Sequence, residues 1–186
     1  LLKWDGQFLL FDPYLSDSLT RKYAETDKPH VRMTERAIDP ARLDFVNCVT
    51  SSHNHTDHLD GDTLAAIADA GDGVTLVLPE ANIEFAQERL GDAPIKYLGL
   101  NEGTRKDSGI WEIGGVSAAH NEVERDELNR CRFLGFQVGF GPFSVYHSGD
   151  TLWHDRLVEQ FIGRKPDVAM LPINGNKPER RVAGNL

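Results

Sequence analysis

Short apolar runs alternate with amphipathic stretches and Gly-rich turns along the chain, with no internal repeat and no low-complexity linker. Residues 7–11 and 45–50 read as strands. Residues 63–70 read as a helix, with Asp62 as its N-cap and Gly71 beyond its end. A strand is expected over residues 74–78. Residues 80–90 then carry Ile83, Phe85, Ala86 and Leu90 at helical intervals and stop at Gly91, after which 95–98 returns to extended structure. From Ile110 the pattern changes to hairpins, with strands over 110–113, 116–119, 132–140 and 143–147 separated by Gly114-Gly115 and Gly141-Pro142. Residues 152–162 read as helical and 167–171 as extended. Strands interspersed with helices predict layered sheets covered by helices, an α+β architecture.

Composition narrows the class without changing it. A length of 186 residues, 40% hydrophobic and 26% charged, fits one soluble domain spanning residues 1–186. The formal charge of −9 argues against a nucleic-acid backbone as partner, since phosphate binding needs clustered Lys and Arg. Cys48 and Cys131 are too few for a disulfide framework, and Cys48 lies in an apolar run, so a reducing cytoplasm is the expected compartment. Leu1-Leu2 is followed at once by Lys3, Trp4 and Asp5, unlike a signal peptide, and no apolar stretch is long enough to span a membrane. The expected partner is therefore a small-molecule substrate, with neither nucleic acid nor membrane, and homo-oligomerisation stays open.

The chemistry is concentrated in His53-Asn54-His55-Thr56-Asp57-His58, directly after the run 45–50. Imidazole nitrogen and carboxylate oxygen are ligand types that Zn, Mn and Fe accept together, and a turn after a strand can aim alternate residues, His53 and His55, at one ion. Asp57 and His58 continue past that ion and can serve a second one, so the spacing points to a two-metal centre. The plainer alternative is a polar turn with solvated histidines. Three of the chain's seven histidines fall in these six positions, however, and such clustering without a cation would bring like charges together on protonation.

The motif His-x-His-x-Asp-His after a strand resembles the signature of the metallo-beta-lactamase superfamily of metal-dependent hydrolases. The segments Phe11-Asp12-Pro13-Tyr14-Leu15, His58-Leu59-Asp60, Tyr146-His147-Ser148-Gly149-Asp150-Thr151 and Leu171-Pro172-Ile173-Asn174-Gly175 are similar to those of the branch containing L-ascorbate-6-phosphate lactonase. The resemblance implies the four-layer alpha-beta-beta-alpha sandwich, which periodicity alone does not give, with the metal centre at one edge. It further implies His120 as third histidine of the first metal and Asp150 as a carboxylate bridging the two ions, where Asp150 could otherwise be a helix N-cap. Asp12 takes the place of an acidic residue that hydrogen-bonds around the ligands without binding metal. Helix capping accounts for Asp60 and Asp62, and His147 and His154 are left undecided.

The family's second metal normally takes one more histidine beyond the segment at 171–175, and nothing after Asn174 is a histidine. The chain is accordingly expected to be incomplete at both termini, with Asp57, His58 and Asp150 as the ligands left for the second of two divalent ions, Zn or Mn with Fe as a further option. The implied activity is hydrolysis by a metal-activated hydroxide, oriented by Asp57, of a lactone or ester of a small sugar acid, phosphorylated or not. Asn174, Arg180, Lys177 and Arg181 are candidates for substrate binding, with Arg125 and Arg132 next. The alternatives are a phosphodiesterase or phospholipase of the same superfamily, or a metal-binding module without turnover.

Overall fold

A computed structural model of the chain describes residues 1–173. Strands β1 (Leu2–Trp4), β2 (Gln7–Leu10), β3 (Cys48–Thr50), β4 (Val74–Pro79) and β5 (Ile95–Leu100) form one sheet in chain order. β1 and β2 pair antiparallel, and the other neighbours are parallel. The second sheet holds β6 (Arg105–Ser108), β7 (Trp111–Ser117), β8 (Leu134–Phe140), β9 (Phe143–His147) and β10 (Val168–Met170), in the order β10-β9-β8-β7-β6. Only the β9–β10 pair is parallel there. Three α-helices, α1 (Ser18–Lys22), α2 (Gly61–Ala70) and α3 (Ile83–Leu90), and three 3-10 turns, Pro40–Arg42, Glu80–Asn82 and Glu159–Phe161, complete the described elements.

Period-two alternation sorts the strand side chains into separate cores. Leu9, Cys48 and Val77 of the first sheet meet Trp111, Ile113, Phe136 and Val138 of the second in the layer between the sheets. The intervening residues Val49, Leu76 and Leu78 face the other way, onto Leu64 and Ile67 of α2 and Ala86 and Leu90 of α3. On the outer face of the second sheet, Val116 and Tyr146 are covered by Leu157 and Phe161. The α+β class and the sandwich expected from the sequence are what the chain adopts.

Several local expectations need correction. The strand expected over 45–50 is confined to Cys48–Thr50. Gly114-Gly115 is not a turn, because one strand, β7, runs through it. A Cβ on Gly114 would stand 2.8 Å from the Arg105 guanidinium and one on Gly115 2.5 Å from the Asn101 carbonyl, so the pair permits close approach instead. β6 was not expected at all, since Arg105-Lys106-Asp107-Ser108 has no apolar alternation and is a strand only through its pairing with β7. The helix expected over 152–162 is a series of turns with one 3-10 turn, Glu159–Phe161. There His154 Nε2 and the Gln160 side chain are bonded to Ser117, which holds the segment to β7 in place of a regular helix.

Candidate metal centre

β2 and β3 run parallel and end side by side, and β7 and β9 both run antiparallel to β8, so each sheet delivers two strand-end loops to one edge. Asp12 follows β2, His53 to His58 follow β3, His120 follows β7 and Asp150 follows β9. The loops are tied together by hydrogen bonds from backbone N–H groups. Leu134 N donates to Ser52 O at 3.0 Å, Leu152 N donates to Ala119 O at 2.7 Å, and Ala119 N donates to Thr151 Oγ1 at 2.9 Å. Gly149 has φ +57°, and a Cβ there would lie 2.5 Å from Ser52 Cβ. Glycine is therefore required for the loop carrying Asp150 to rest on the loop carrying the histidines.

The geometry gathers most of the expected ligands. His53, His55 and His120 each offer a ligand atom within 4.8 Å of the others, and His53, His58 and Asp150 form a second such group. His53 is 1% and His120 2% exposed, yet the Nε2 atoms of both have no hydrogen-bond partner among the described residues. Buried polar atoms are nearly always partnered. Two orphaned imidazole nitrogens converging with a third histidine therefore fit a cation that accepts nitrogen ligands. Burial, followed by repulsion from His58 and His55, pushes His53 down to about 2. Burial and His120 likewise lower His55, which keeps both rings in the neutral form that binds metal. The His53, His55 and His120 rings all pack on Phe133, with centroids 4.9, 5.9 and 5.1 Å away.

Asp12 occupies the place expected of a supporting carboxylate. Its Oδ2 accepts from Ser52 N at 3.0 Å and pairs with His58 Nδ1 at 2.9 Å, while Oδ1 accepts from Thr50 Oγ1 at 2.6 Å. Its backbone sits at φ +37°, a left-handed conformation uncommon outside glycine, held by these bonds. Burial would raise the Asp12 carboxyl, but the His58 hydrogen bond and the charges of His147 and His58 hold it well below its ordinary range. Burial alone would lower His58, yet hydrogen bonds to Asp12 and Asp150 raise it to about 10. Asp150 is lowered by the same His58 bond against the opposing effect of its burial. With Nδ1 committed to Asp12, His58 presents Nε2, which lies 3.3 Å from Asp150 Oδ2 and 3.6 Å from Asp57 Oδ2. Asp57 is half exposed, reaches His58, and belongs to neither group of three.

Other expectations resolve differently. Asp60, not Asp62, stands at the N-cap position of α2, and it makes no side-chain capping bond. Its buried carboxylate instead accepts from Ser16, Ser18 and Thr63 hydroxyls, fixing the segment after Asp12 to the start of α2. Asp62 pairs with Arg21. Asp150 caps no helix, because no α-helix follows it among the described residues and the one 3-10 turn starts only at Glu159. His147 stacks on Phe11 at 4.9 Å and His154 turns to Ser117 O, so neither joins the ligand groups. Arg125 is occupied by Glu102. Asn174, Lys177, Arg180 and Arg181 lie outside the described residues. Sequence reasoning missed Arg89 and Phe133. Arg89 reaches from α3 to donate to Asn54 O at 3.1 Å and Leu59 O at 2.8 Å, bracing the ligand turn, and neither residue belongs to a motif that would have exposed its role.

A model of the Beta-lactamase superfamily domain matches residues 8–185. The UPF0173 metal-dependent hydrolase of Natranaerobius thermophilus is 28% identical over 170 residues, a match covering 90% of this chain and 64% of that protein. The protein of the same name from Heliobacterium modesticaldum is 30% identical over 155 residues, covering 77% of this chain and 61% of its own length. The chain thus spans less than two thirds of these relatives. The structure of isothiocyanate hydrolase from Delia radicum gut bacteria superposes with a TM-score of 0.64 at 22% identity, over 90% of this chain and 66% of that one. The metallo-beta-lactamase fold protein YhfI from Bacillus subtilis gives 0.57 at 16% identity, over 89% and 60%. These two likenesses speak to the fold alone.

Proposed function

The chain belongs to the beta-lactamase superfamily domain family, and from that premise we propose that it is a metal-dependent hydrolase acting on a lactone or ester of a small sugar acid. The observation that carries this reading is the convergence of His53, His55 and His120, with unpartnered Nε2 atoms, beside the group His53, His58 and Asp150. On this reading His53, His55 and His120 would hold one divalent cation and His58 and Asp150 a second, with Asp57, 3.6 Å from His58 Nε2 though outside both groups of three, as its further carboxylate. Zn, Mn and Fe all accept such nitrogen and oxygen donors, and the likeness of the segments at 11–15 and 146–151 to the lactonase branch favours Mn and a cyclic ester. Bound there, the cations supply positive charge that lowers the pKa of water from about 15.7 towards 7 and polarises a carbonyl or phosphoryl oxygen.

The chain's own residues supply orientation and proton handling. Asp12 holds the Nδ1 side of His58 and thereby directs Nε2 towards Asp57 and Asp150. Asp57, half exposed and 3.6 Å from His58 Nε2, would on this reading orient the attacking water and accept its proton. Phe133 packs against the three rings and helps to hold their orientation. The buried free thiols of Cys48 and Cys131 support a reducing, cytoplasmic setting.

Metal analysis of protein purified without added metal, coupled to a screen of sugar lactones and bis-p-nitrophenyl phosphate, tests the reading. Two ions per chain with lactone cleavage support it. Cleavage of the phosphodiester alone replaces it with a phosphodiesterase, and one inert ion replaces it with a binding module. Asp57→Asn is expected to lower kcat at least about 100-fold without moving the urea transition. Unchanged turnover in that variant removes Asp57 from the reaction.

A further inference from the structure

Beside His55 and His120 opens a cleft of about 450 Å³ whose wall includes Asn121, Glu124, Arg132 and Phe133. That volume suits a small ligand. Arg125 and Arg130, close to Arg132 in sequence, are taken up by Glu102 and Asp126. Arg132 is exposed, and among the described residues its guanidinium has neither a carboxylate nor a hydrogen-bond acceptor. Its backbone, by contrast, is fixed twice. Arg132 N donates to Glu124 O at 3.0 Å, and Arg132 O accepts from the side chain of Asn82, which is 2% exposed, at 2.9 Å. Two residues on, Leu134 N is bonded to Ser52 O, next to His53. A guanidinium with free donors thus stands on a segment locked to the histidine turn. Glu124, half buried and joined to Arg132 through the backbone, lines the same cleft without forming an ion pair with it.

We infer that this cleft is the substrate subsite and that Arg132 is a specificity-determining residue, binding a single carboxylate or phosphate group of a small-molecule substrate while Glu124 accepts a hydroxyl or amine donor from it. The inference rests on the hydrolase reading above. Guanidinium presents paired donors that match a planar or tetrahedral oxyanion, and leaving them unpaired in the free protein means no internal ion pair has to break on binding. Glu124 repels a second negative charge, so polyanions are disfavoured, in keeping with the net charge of −9. The Phe133 ring, against which the histidines pack, fixes the distance between the anion subsite and the candidate metal ligands.

The test uses the metal-loaded full chain and three probes: phenylacetate, phenylphosphonate and the neutral benzamide. Dissociation constants are measured by titration, with metal content recorded for every variant. The wild type is expected to bind one or both anions more tightly than benzamide, and the preference between them identifies carboxylate or phosphate. Arg132→Met is expected to weaken the preferred anion at least about tenfold, the loss of a charge-assisted pair, leaving benzamide binding and metal content unchanged. Arg132→Lys restores part of the loss, and Glu124→Gln tightens anion binding. Anion binding unaltered in Arg132→Met overturns the inference. Matched aryl esters with and without a carboxylate then separate it from the hydrolase reading. A KM increase in Arg132→Met confined to the anionic ester, with kcat kept, supports both. Hydrolysis of both esters with wild-type KM sinks the subsite and leaves the hydrolase. Anion binding that depends on Arg132 with no ester or lactone cleaved sinks the hydrolase and leaves the subsite.

Discussion

Asp12 concentrates more of the site's organisation than any ligand does. One buried carboxylate orients His58, accepts from the backbone of Ser52 and the hydroxyl of Thr50, and holds its own backbone at positive φ. Removing half of that acceptor capacity leaves His58 free to turn, and residues that orient metal ligands typically account for 10–100-fold in affinity. Asp12→Asn is therefore expected to weaken metal binding by about that factor, measured by chelator competition, with the sandwich intact by circular dichroism. Wild-type affinity in the variant would show that His58 is oriented by something else. His53, His55, Asp57 and His58 stood out as candidate ligands by their spacing, because imidazoles and carboxylates so crowded have few other uses, whereas His120 and Asp150 were reached only through the family resemblance. The roles of Asp60, Arg89 and Phe133 were not legible, since a capping aspartate, a helical arginine and a strand phenylalanine are ordinary in any sequence.

At the scale of elements, the strands and helices are held in place by polar ties as well as by packing. Glu102, at the end of β5, accepts from Ser117 of β7, from Arg125 in the connection to β8 and from Arg156 after β9. Burial would raise its carboxyl, but the bonds from Arg125 and Ser117 and the charges of Arg125 and Arg156 hold it below its ordinary 4.5. A carboxylate lowered on folding adds stability that is present above its unfolded value and disappears as pH falls through its folded one. Urea unfolding between pH 6 and 3 should thus lose stability steeply in the wild type. Glu102→Gln should start lower at pH 6, by about 1 kcal/mol or more, and show a shallower acid limb. Equal slopes in the two proteins would mean that Glu102 titrates alike folded and unfolded. Elements with strong apolar periodicity, such as the strand at 74–78 and the helix expected over 80–90, were readable locally, the latter opening with a 3-10 turn at Glu80–Asn82 before the α-helix Ile83–Leu90. β6 and the segment 152–162 were not, because pairing with β7 and side-chain bonds to Ser117 decide their conformation.

The whole molecule brings two half-sites together. The first sheet contributes Asp12 and His53 to His58, the second contributes His120 and Asp150, and the layer of Leu9, Cys48, Val77, Ile113 and Phe136 sets the distance between them. Phe136→Ala, at a fully buried position in that layer, should cost about 3–5 kcal/mol of stability. It should also weaken metal binding, although the residue touches no ligand. Urea denaturation paired with metal titration checks both, and a stability loss with unchanged metal affinity would uncouple the site from the sandwich. The sequence by itself determined the α+β class, the hexapeptide of candidate ligands and the family likeness, because period-two alternation and ligand spacing are local properties of the chain. Only the tertiary structure decided that His120 and Asp150 meet His53, that Asp57 stands apart from both groups of three, and that Arg132 faces the cleft unpaired. Those relations join residues far apart in sequence, and they are fixed by sheet register and by the close contact that Gly149 allows over Ser52.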